Sequence, residues 1–165
     1  MLRLFFALPC PPAVATQIDA WRRSRAFSGR LVPTANLHLT LAFLGHQPEE
    51  RLALLQQLPP QLPLTEMSFE LELDRLDCWH GGLLHLAPGR VPERLPRLVE
   101  GLNALLFGNG LPVEPRTYRP HLTLARESSR PERSDCPGFS WRADELVLYR
   151  SEQGRYLPLS RWPLG

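Results

Sequence analysis

Two copies of one pentapeptide hold the side chains of this sequence that are best suited to chemistry. His38-Leu39-Thr40-Leu41-Ala42 returns about half a chain later as His121-Leu122-Thr123-Leu124-Ala125. In a β-strand successive side chains point to opposite faces, so the histidine and threonine of each copy share one face and the two leucines share the other. An imidazole can accept or donate a proton near neutral pH, and a hydroxyl can hold a phosphate oxygen. Two such strands facing each other would line a cleft suited to acid–base chemistry on an anion.

Each copy also has a simpler interpretation as the half-exposed polar face of an ordinary strand, where threonine is common. A single copy would favour that structural interpretation. Because the two copies are identical, we favour a functional role for His38 and His121, with Thr40 and Thr123 beside them. A repeat of this kind predicts two related halves that each contribute one copy to a shared site.

Arg126 follows the second copy directly, whereas Phe43 stands at the corresponding place after the first. An arginine at this point could bind a phosphate oxygen and stabilise negative charge in a transition state. Strict alternation from His121, however, points Arg126 to the opposite face of the strand. It reaches the cleft only if the strand ends or bulges there.

Other side chains are weaker candidates. Phe5 and Phe6 point to opposite faces of a predicted strand, so at most one of them can face the cleft and stack on a base, and Phe5 is kept as a candidate for substrate binding. The remaining histidines, His46, His80 and His85, have no spacing typical of metal ligands, and no metal site is expected.

Paired motifs of this form resemble the signature of the two-histidine (2H) phosphoesterase superfamily. The flanking residues narrow the resemblance to the RNA 2',3'-cyclic phosphodiesterase family, also called the 2'-5' RNA ligase family. The similar stretches run nearly from end to end; they are Arg3-Leu4-Phe5-Phe6-Ala7-Leu8, residues 33–45, residues 118–126, and Leu148-Tyr149-Arg150-Ser151 leading to Gly154-Arg155-Tyr156. Between about residues 47 and 114 only the pattern of elements is similar.

The resemblance implies a reaction that needs no metal or cofactor, with His38 as proton donor, His121 as proton acceptor, and Thr40 and Thr123 holding the phosphate. It also implies a substrate, RNA with a 2',3'-cyclic phosphate end or a small cyclic nucleotide, which is opened to a 2'-phosphate. The resemblance also implies a reversible joining of RNA ends through a 2'-5' linkage. Two alternatives stay open: a two-histidine enzyme for another small cyclic phosphate or a 2'-5' oligonucleotide, and a module that binds RNA ends without turnover.

Length and composition are those of an ordinary globular protein. A chain of 165 residues with 43% hydrophobic and 22% charged residues predicts one domain over residues 1–165. The net charge of +2 does not by itself indicate a nucleic-acid-binding protein. Three widely spaced cysteines fit a reducing cytoplasm, and no apolar stretch is long enough to span a membrane. We expect a cytoplasmic monomer.

The elements that must position the candidate residues follow from periodicity and from glycine and proline. The predicted strands cover residues 2–8, 37–44, 67–74, a hairpin reaching 83–87, the second motif, 141–150 and 155–159, with helices after Pro11, after Pro48 and over 92–107. This order predicts an α+β fold. The resemblance implies its form, two antiparallel sheets with outer helices and pseudo-twofold symmetry around a central cleft.

One basic cluster at the end of the first predicted helix has two interpretations. Arg22, Arg23 and Arg25 suit the negative end of the helix dipole, and they form either a solvated face or a basic rim for RNA. A polar loop is predicted over residues 127–138.

Overall fold

The computed structural model describes residues 1–132 and 135–165, and within them the chain forms ten strands and three α-helices. The strands are β1 Leu2–Pro9, β2 Arg30–Leu31, β3 His38–Gln47, β4 Phe69–Leu73, β5 Arg75–Trp79, β6 Leu83–Ala87, β7 Leu122–Arg126, β8 Phe139–Ala143, β9 Glu145–Glu152 and β10 Arg155–Pro163. The helices are α1 Pro12–Arg25, α2 Leu52–Gln57 and α3 Arg94–Gly108.

The strands form two four-stranded antiparallel sheets and a two-stranded ribbon. The first sheet has the order β10-β9-β1-β3 and the second the order β2-β7-β6-β5, while β4 pairs with β8 in the ribbon. Strand β3 carries the first pentapeptide at the edge of its sheet, and the second pentapeptide leads into β7. Cα atoms of β3 and β7 come within 8 Å of each other, so the two copies meet where the two sheets face.

Both motif strands contain a bulge at the same position of the pentapeptide. In β3, Phe6 pairs with Ala42 and Ala7 pairs with Thr40, which leaves Leu41 as an extra residue. In β7, neighbouring residues of β6 pair with Ala125 and Thr123, which leaves Leu124 extra. An extra residue reverses the alternation of side chains beyond it.

The hydrophobic core lies between the sheets and the helices and is built mainly from leucines. The leucines of both pentapeptides are buried, with Leu39, Leu122 and Leu124 at 0% exposure. These residues fix the face of each strand, because a one-residue slip would bring them to solvent and bury the histidines. Helix α3 begins at Arg94, so its proline, Pro96, lies in the first turn, where it displaces no hydrogen bond within the helix.

Several predicted boundaries were wrong. The first motif strand does not end at Gly45, because this glycine takes a φ of 67° and the strand continues to Gln47. The helix after Pro48 is a 3-10 turn followed by the short α2. The predicted strand 141–150 is two strands, since Ala143 ends β8 in the ribbon and β9 begins at Glu145 in the first sheet.

Strand β2 was not predicted, since two residues carry no periodicity. The predicted loop 127–138 contains Arg133 and Ser134, which lie outside the described residues. The three cysteines are free. No helix in the described part of the chain combines the length and apolar character needed to cross a membrane.

Candidate active site

His38 is fixed at both ring nitrogens. Its Nδ1 lies 2.7 Å from the carbonyl oxygen of Asn36, and its Nε2 lies 2.7 Å from the hydroxyl oxygen of Thr40. A carbonyl can only accept, so Nδ1 carries the proton, and in the neutral ring Nε2 accepts the hydrogen bond that Thr40 donates. The motif histidine and threonine are thus in contact, as their shared face predicts. The Nε2 atom is the one available for proton transfer.

His121 is held in the same way by the residue two positions earlier. It lies just before β7, and its Nδ1 is 2.8 Å from the carbonyl oxygen of Arg119. The ring of Trp79 stands edge-on to it, with centroids 4.5 Å apart, and the Arg119 guanidinium lies 4.4 Å from the centroid of the Trp79 ring. Trp79 therefore packs between a cation and the second imidazole. Here too the carbonyl contact leaves Nε2 for chemistry.

The bulge in β7 decides where Arg126 points. His85 pairs with Thr123 and Leu84 pairs with Ala125, so Ala125 lies on the core face and Arg126 returns to the face of Thr123. The charge of Arg126 lowers the pKa of both His38 and His121, which agrees with a position near both rings. The simple alternation that points Arg126 away from the cleft does not hold in this strand.

The matching bulge in β3 turns Phe43 into the same cleft. Phe43 pairs with Phe5, and both share the face of His38 and Thr40. The Phe43 ring is 45% exposed, and the Arg3 guanidinium lies 4.9 Å from its centroid. The sequence pattern alone does not indicate this position of Phe43, because the bulge depends on pairing with β1. An exposed aromatic face in a cleft is suited to stacking on a base.

Phe5 and Phe6 separate as alternation requires. Phe6 is fully buried in the core, against Trp162. Phe5 lies on the side of His38, with its ring centroid 5.1 Å from the imidazole, and Tyr156 covers it edge-on at 5.0 Å. Its exposure is only 4%, so Phe5 supports His38 and offers no free face to a base. The expectation that it stacks on a base is not met in this structure.

Both imidazoles are held in the neutral form by their surroundings. Burial is the main cause that lowers the pKa of His38 to about 4; the charges of His121 and Arg126 add to the lowering, and the bond to Asn36 offsets it only in part. Burial is also the main cause that lowers the pKa of His121, followed by the charges of Arg119 and Arg126. A bound anion would act in the opposite direction and favour the protonated rings.

His85 is a third imidazole near the site, although the sequence around it has no spacing typical of a site residue. It is 2% exposed, and its ring centroid lies 5.6 Å from that of His121 and 4.1 Å from that of Trp79. Its Nδ1 lies 3.1 Å from the carbonyl oxygen of Leu83. Its place beside His121 depends on the register between β6 and β7, which periodicity within one strand cannot supply. Within the described residues no three His, Cys, Asp or Glu side chains form a group that could hold a metal ion.

Tyr118 ties the approach to the second motif to the first motif strand. Its hydroxyl donates a hydrogen bond of 2.9 Å to the carbonyl oxygen of Thr40. Burial raises the pKa of the Tyr118 phenol, so this donor stays protonated through the range in which imidazoles titrate. This hydrogen bond joins the segment before the second motif to the first motif strand.

Comparisons with known proteins agree over nearly the whole chain. The model of the 2'-5' RNA ligase superfamily matches residues 10–155. The RNA 2',3'-cyclic phosphodiesterase of Escherichia coli (strain K12) is 34% identical, over 98% of this chain and 96% of that protein. The protein of the same name from Thermus thermophilus is 34% identical, over 92% of this chain and 82% of its own length.

Solved structures show the same likeness. The crystal structure of E. coli LigT complexed with 3'-AMP superposes with a TM-score of 0.90 at 32% identity, covering 99% of this chain and 98% of LigT. The crystal structure of E. coli LigT complexed with phosphate gives a TM-score of 0.85, also at 32% identity, over 99% of this chain and 97% of LigT. The predicted α+β fold with antiparallel sheets is confirmed.

Proposed function

Because this chain belongs to the 2'-5' RNA ligase superfamily, we propose that it hydrolyses the 2',3'-cyclic phosphate ends of RNA to 2'-phosphomonoesters by two-histidine acid–base catalysis. The observation that carries the proposal is the matched pair of imidazoles. In each ring Nδ1 is fixed by a main-chain carbonyl two residues earlier, so Nε2 is the atom left for proton transfer. Relatives named RNA 2',3'-cyclic phosphodiesterase support the assignment of the substrate.

In this reaction each histidine carries out one proton transfer. His121 takes a proton from water through Nε2, and the water oxygen attacks the phosphorus atom of the cyclic phosphate. The bond from phosphorus to the 3' oxygen breaks, and His38 gives its Nε2 proton to that oxygen. The phosphate stays on the 2' oxygen. When the 5' hydroxyl of a second RNA takes the place of water, the same two proton transfers form a 2'-5' linkage and free the 3' hydroxyl. The two histidines exchange roles when that linkage is cleaved back to the cyclic phosphate and the 5' hydroxyl.

The other groups of the cleft stabilise the phosphate. Thr40 and Thr123 offer hydroxyl donors, and Arg126 offers a planar fork that matches two phosphate oxygens. The negative phosphate also favours protonation of His38. This residue must be protonated to act as the acid, although its pKa in the protein without ligand is about 4. Binding of the anion raises that pKa and supplies the protonated donor when substrate is present.

The cleft needs one chain only. Both pentapeptides, Arg126 and the aromatic residues around them belong to the same molecule, and we propose that the enzyme is a single bilobal domain over residues 1–165 and acts as a monomer. The free cysteines support a reducing compartment, and we place the enzyme in the cytoplasm.

The test is product analysis with an RNA that ends in a 2',3'-cyclic phosphate. We expect a 2'-phosphomonoester, which phosphorus NMR distinguishes from the 3' isomer. His38→Ala and His121→Ala should abolish most turnover, whereas His46→Ala, an exposed histidine at the far end of β3, should not change it. Turnover of a cyclic mononucleotide but not of the RNA would favour the small-molecule alternative. Tight binding of the RNA without any product would refute catalysis.

A further inference from the structure

Arg22 is a fully buried cation outside the cleft. It lies in the last turn of α1, where the sequence predicts a solvated face or a basic rim, yet its exposure is 1%. Burial of a guanidinium is unfavourable unless its donors are paired. Its neighbour Arg23 shows what the sequence leads one to expect, because the Arg23 side chain is 64% exposed. The buried guanidinium of Arg22 must therefore have its donors paired with groups inside the protein.

The partners of Arg22 connect both motif strands. Its Nε donates to Asp19 over 2.8 Å, which supplies a negative counter-charge on the same helix. One terminal nitrogen donates to the carbonyl oxygen of Leu124 over 3.0 Å. The other lies 2.8 Å from the same Asp19 oxygen and donates a longer bond of 3.4 Å to the Thr34 hydroxyl. Leu124 is the bulge residue of β7, and Thr34 begins the turn that leads into His38.

The carbonyl of Leu124, the extra residue of the bulge in β7, accepts two hydrogen bonds. Besides the bond from Arg22, it accepts one of 2.9 Å from the amide of Val32. The next residues are held by β2, where Leu31 pairs with Ala125 and Arg30 pairs with Arg126. Arg22 and the β2 segment thus hold the outer side of β7 at the point where its alternation changes. That change is what brings Arg126 to the cleft.

The Thr34 contact reaches the other half of the site. Thr34 opens the 3-10 turn that ends at Asn36, and the carbonyl of Asn36 fixes Nδ1 of His38. A guanidinium can serve this set of acceptors because its donors lie in a rigid plane and point in three directions. A lysine ammonium on the same helix would keep the charge without that geometry.

We propose that Arg22 is a positioning residue for the reaction, which sets Arg126 through the Leu124 bulge and His38 through the Thr34 turn. The inference rests on the proposed function, because it assumes that Arg126 and His38 act on the substrate. Misplacement of a reacting group by a small distance lowers turnover strongly, even when the change lies far from the chemistry. Arg22 touches no atom of the cleft, so its effect must pass through these two residues.

The test is a double-mutant cycle with Arg126. We expect Arg22→Lys to lower kcat/KM on the cyclic-phosphate RNA by roughly tenfold to a hundredfold, mainly in kcat. In an Arg126→Ala background the same change should lower it by less than about threefold, because part of what Arg22 positions is already gone. Arg23→Gln is the matched control. It removes an exposed partner of the same Asp19 and should leave kcat/KM unchanged.

A second measurement reads the position of Arg126 without turnover. In nitrogen-labelled protein, Arg22→Lys should shift the amide resonances of Ala125 and Arg126 and the side-chain Nε resonance of Arg126, and Arg23→Gln should not. Thermal unfolding of each variant shows whether the fold is kept. If Arg22→Lys does not fold, Thr34→Val takes its place, since it removes one acceptor and leaves the buried charge paired. It should shift the His38 ring resonances and lower kcat severalfold.

The outcomes are separable from those of the proposed function. If the folded Arg22→Lys variant keeps normal kcat/KM, or if its loss multiplies fully with that of Arg126→Ala, the positioning role is wrong. Unchanged resonances at Arg126 in that variant, or at His38 in Thr34→Val, would overturn it as well. If the parent protein turns over no cyclic phosphate, the proposed function fails, while the resonance shifts still decide whether Arg22 positions Arg126 and His38.

Discussion

The protonation of His38 gives the sharpest prediction for this site. The free ring has a pKa of about 4, because the ring is buried and faces the charges of His121 and Arg126. At about pH 7 only about one molecule in a thousand then carries the proton that the general acid needs. A bound cyclic phosphate is negative, favours the protonated ring and raises this pKa. Substrate and proton should therefore bind cooperatively.

The size of the coupling follows from the shift. If the bound anion raises the pKa of His38 from about 4 to about 7, the two binding events favour each other by roughly 4 kcal/mol, since one pKa unit corresponds to about 1.4 kcal/mol. Between those two pKa values the affinity for the anion should rise about tenfold for each unit by which the pH falls. Above the higher value the affinity should be flat.

The assay uses a ligand whose own charge does not change. A cyclic phosphate diester stays singly negative through this pH range, and the His121→Ala variant would bind it without hydrolysing it. We expect the dissociation constant of a 2',3'-cyclic mononucleotide to fall steeply as the pH is lowered, while NMR follows the His38 ring directly. The double variant His38→Ala/His121→Ala is the control and should lose the dependence on pH.

Two results would refute the reasoning. One is a His38 ring in the free protein that titrates at its ordinary value of about 6.5, which would mean that burial and neighbouring charges do not act as described. The other is a dissociation constant in the His121→Ala variant that does not change with pH. In that case His38 is not protonated by substrate binding, and the acid must be sought elsewhere in the cleft.

Four further predictions follow from the same geometry. His38→Ala or His121→Ala should each lower turnover by about two to four orders of magnitude with smaller effects on binding, and the double variant should be far from additive; a nearly normal rate in either single variant contradicts the mechanism. Arg126→Lys keeps the charge but loses the planar fork, so kcat/KM should fall by about tenfold or more, and an unchanged value would show that Arg126 does not bind phosphate in this way. Because the pKa of His38 is lower in the folded than in the unfolded chain, protonation of this residue favours the unfolded chain. The contribution of His38 to the free energy of unfolding should therefore fall by about 3 kcal/mol between about pH 6.5 and pH 4. Urea titrations should find this loss reduced in His38→Gln. Because both proton transfers are assigned to imidazoles, activity should survive exhaustive chelation, and loss of activity that added divalent metal restores would overturn the assignment.

The sequence predicts the two motif strands well because their signals are local. The repeated pentapeptide placed two imidazoles on two strands, and the leucines of each copy determined which face was buried. The contact between His38 and Thr40 also follows from their spacing alone. These features depend on alternation within a single strand, which is the information that a sequence carries most directly.

The errors arise where one strand depends on another. Arg126 and Phe43 face the cleft because of bulges, and a bulge is defined by two residues that lie opposite one on the neighbouring strand. His85 reaches His121 through the register of two strands, and Arg22 is buried where it donates to the carbonyl of Leu124 in another strand. None of these pairings has a periodicity within its own segment. The short β2 and the break between β8 and β9 were not predicted for the same reason.

The two bulges also give the cleft a direction. A site made from two identical strands would accept a ligand in either of two opposite orientations with equal affinity. The bulges break this degeneracy, because the positions that they turn inward hold an aromatic ring at Phe43 and a guanidinium at Arg126. A charged hydrogen bond to phosphate is worth about 1.5–3 kcal/mol, which makes one orientation roughly ten to a hundred times more populated than the other. Under the proposed mechanism a duplicated pair of histidines would thereby act asymmetrically, each on a different oxygen of the same nucleotide.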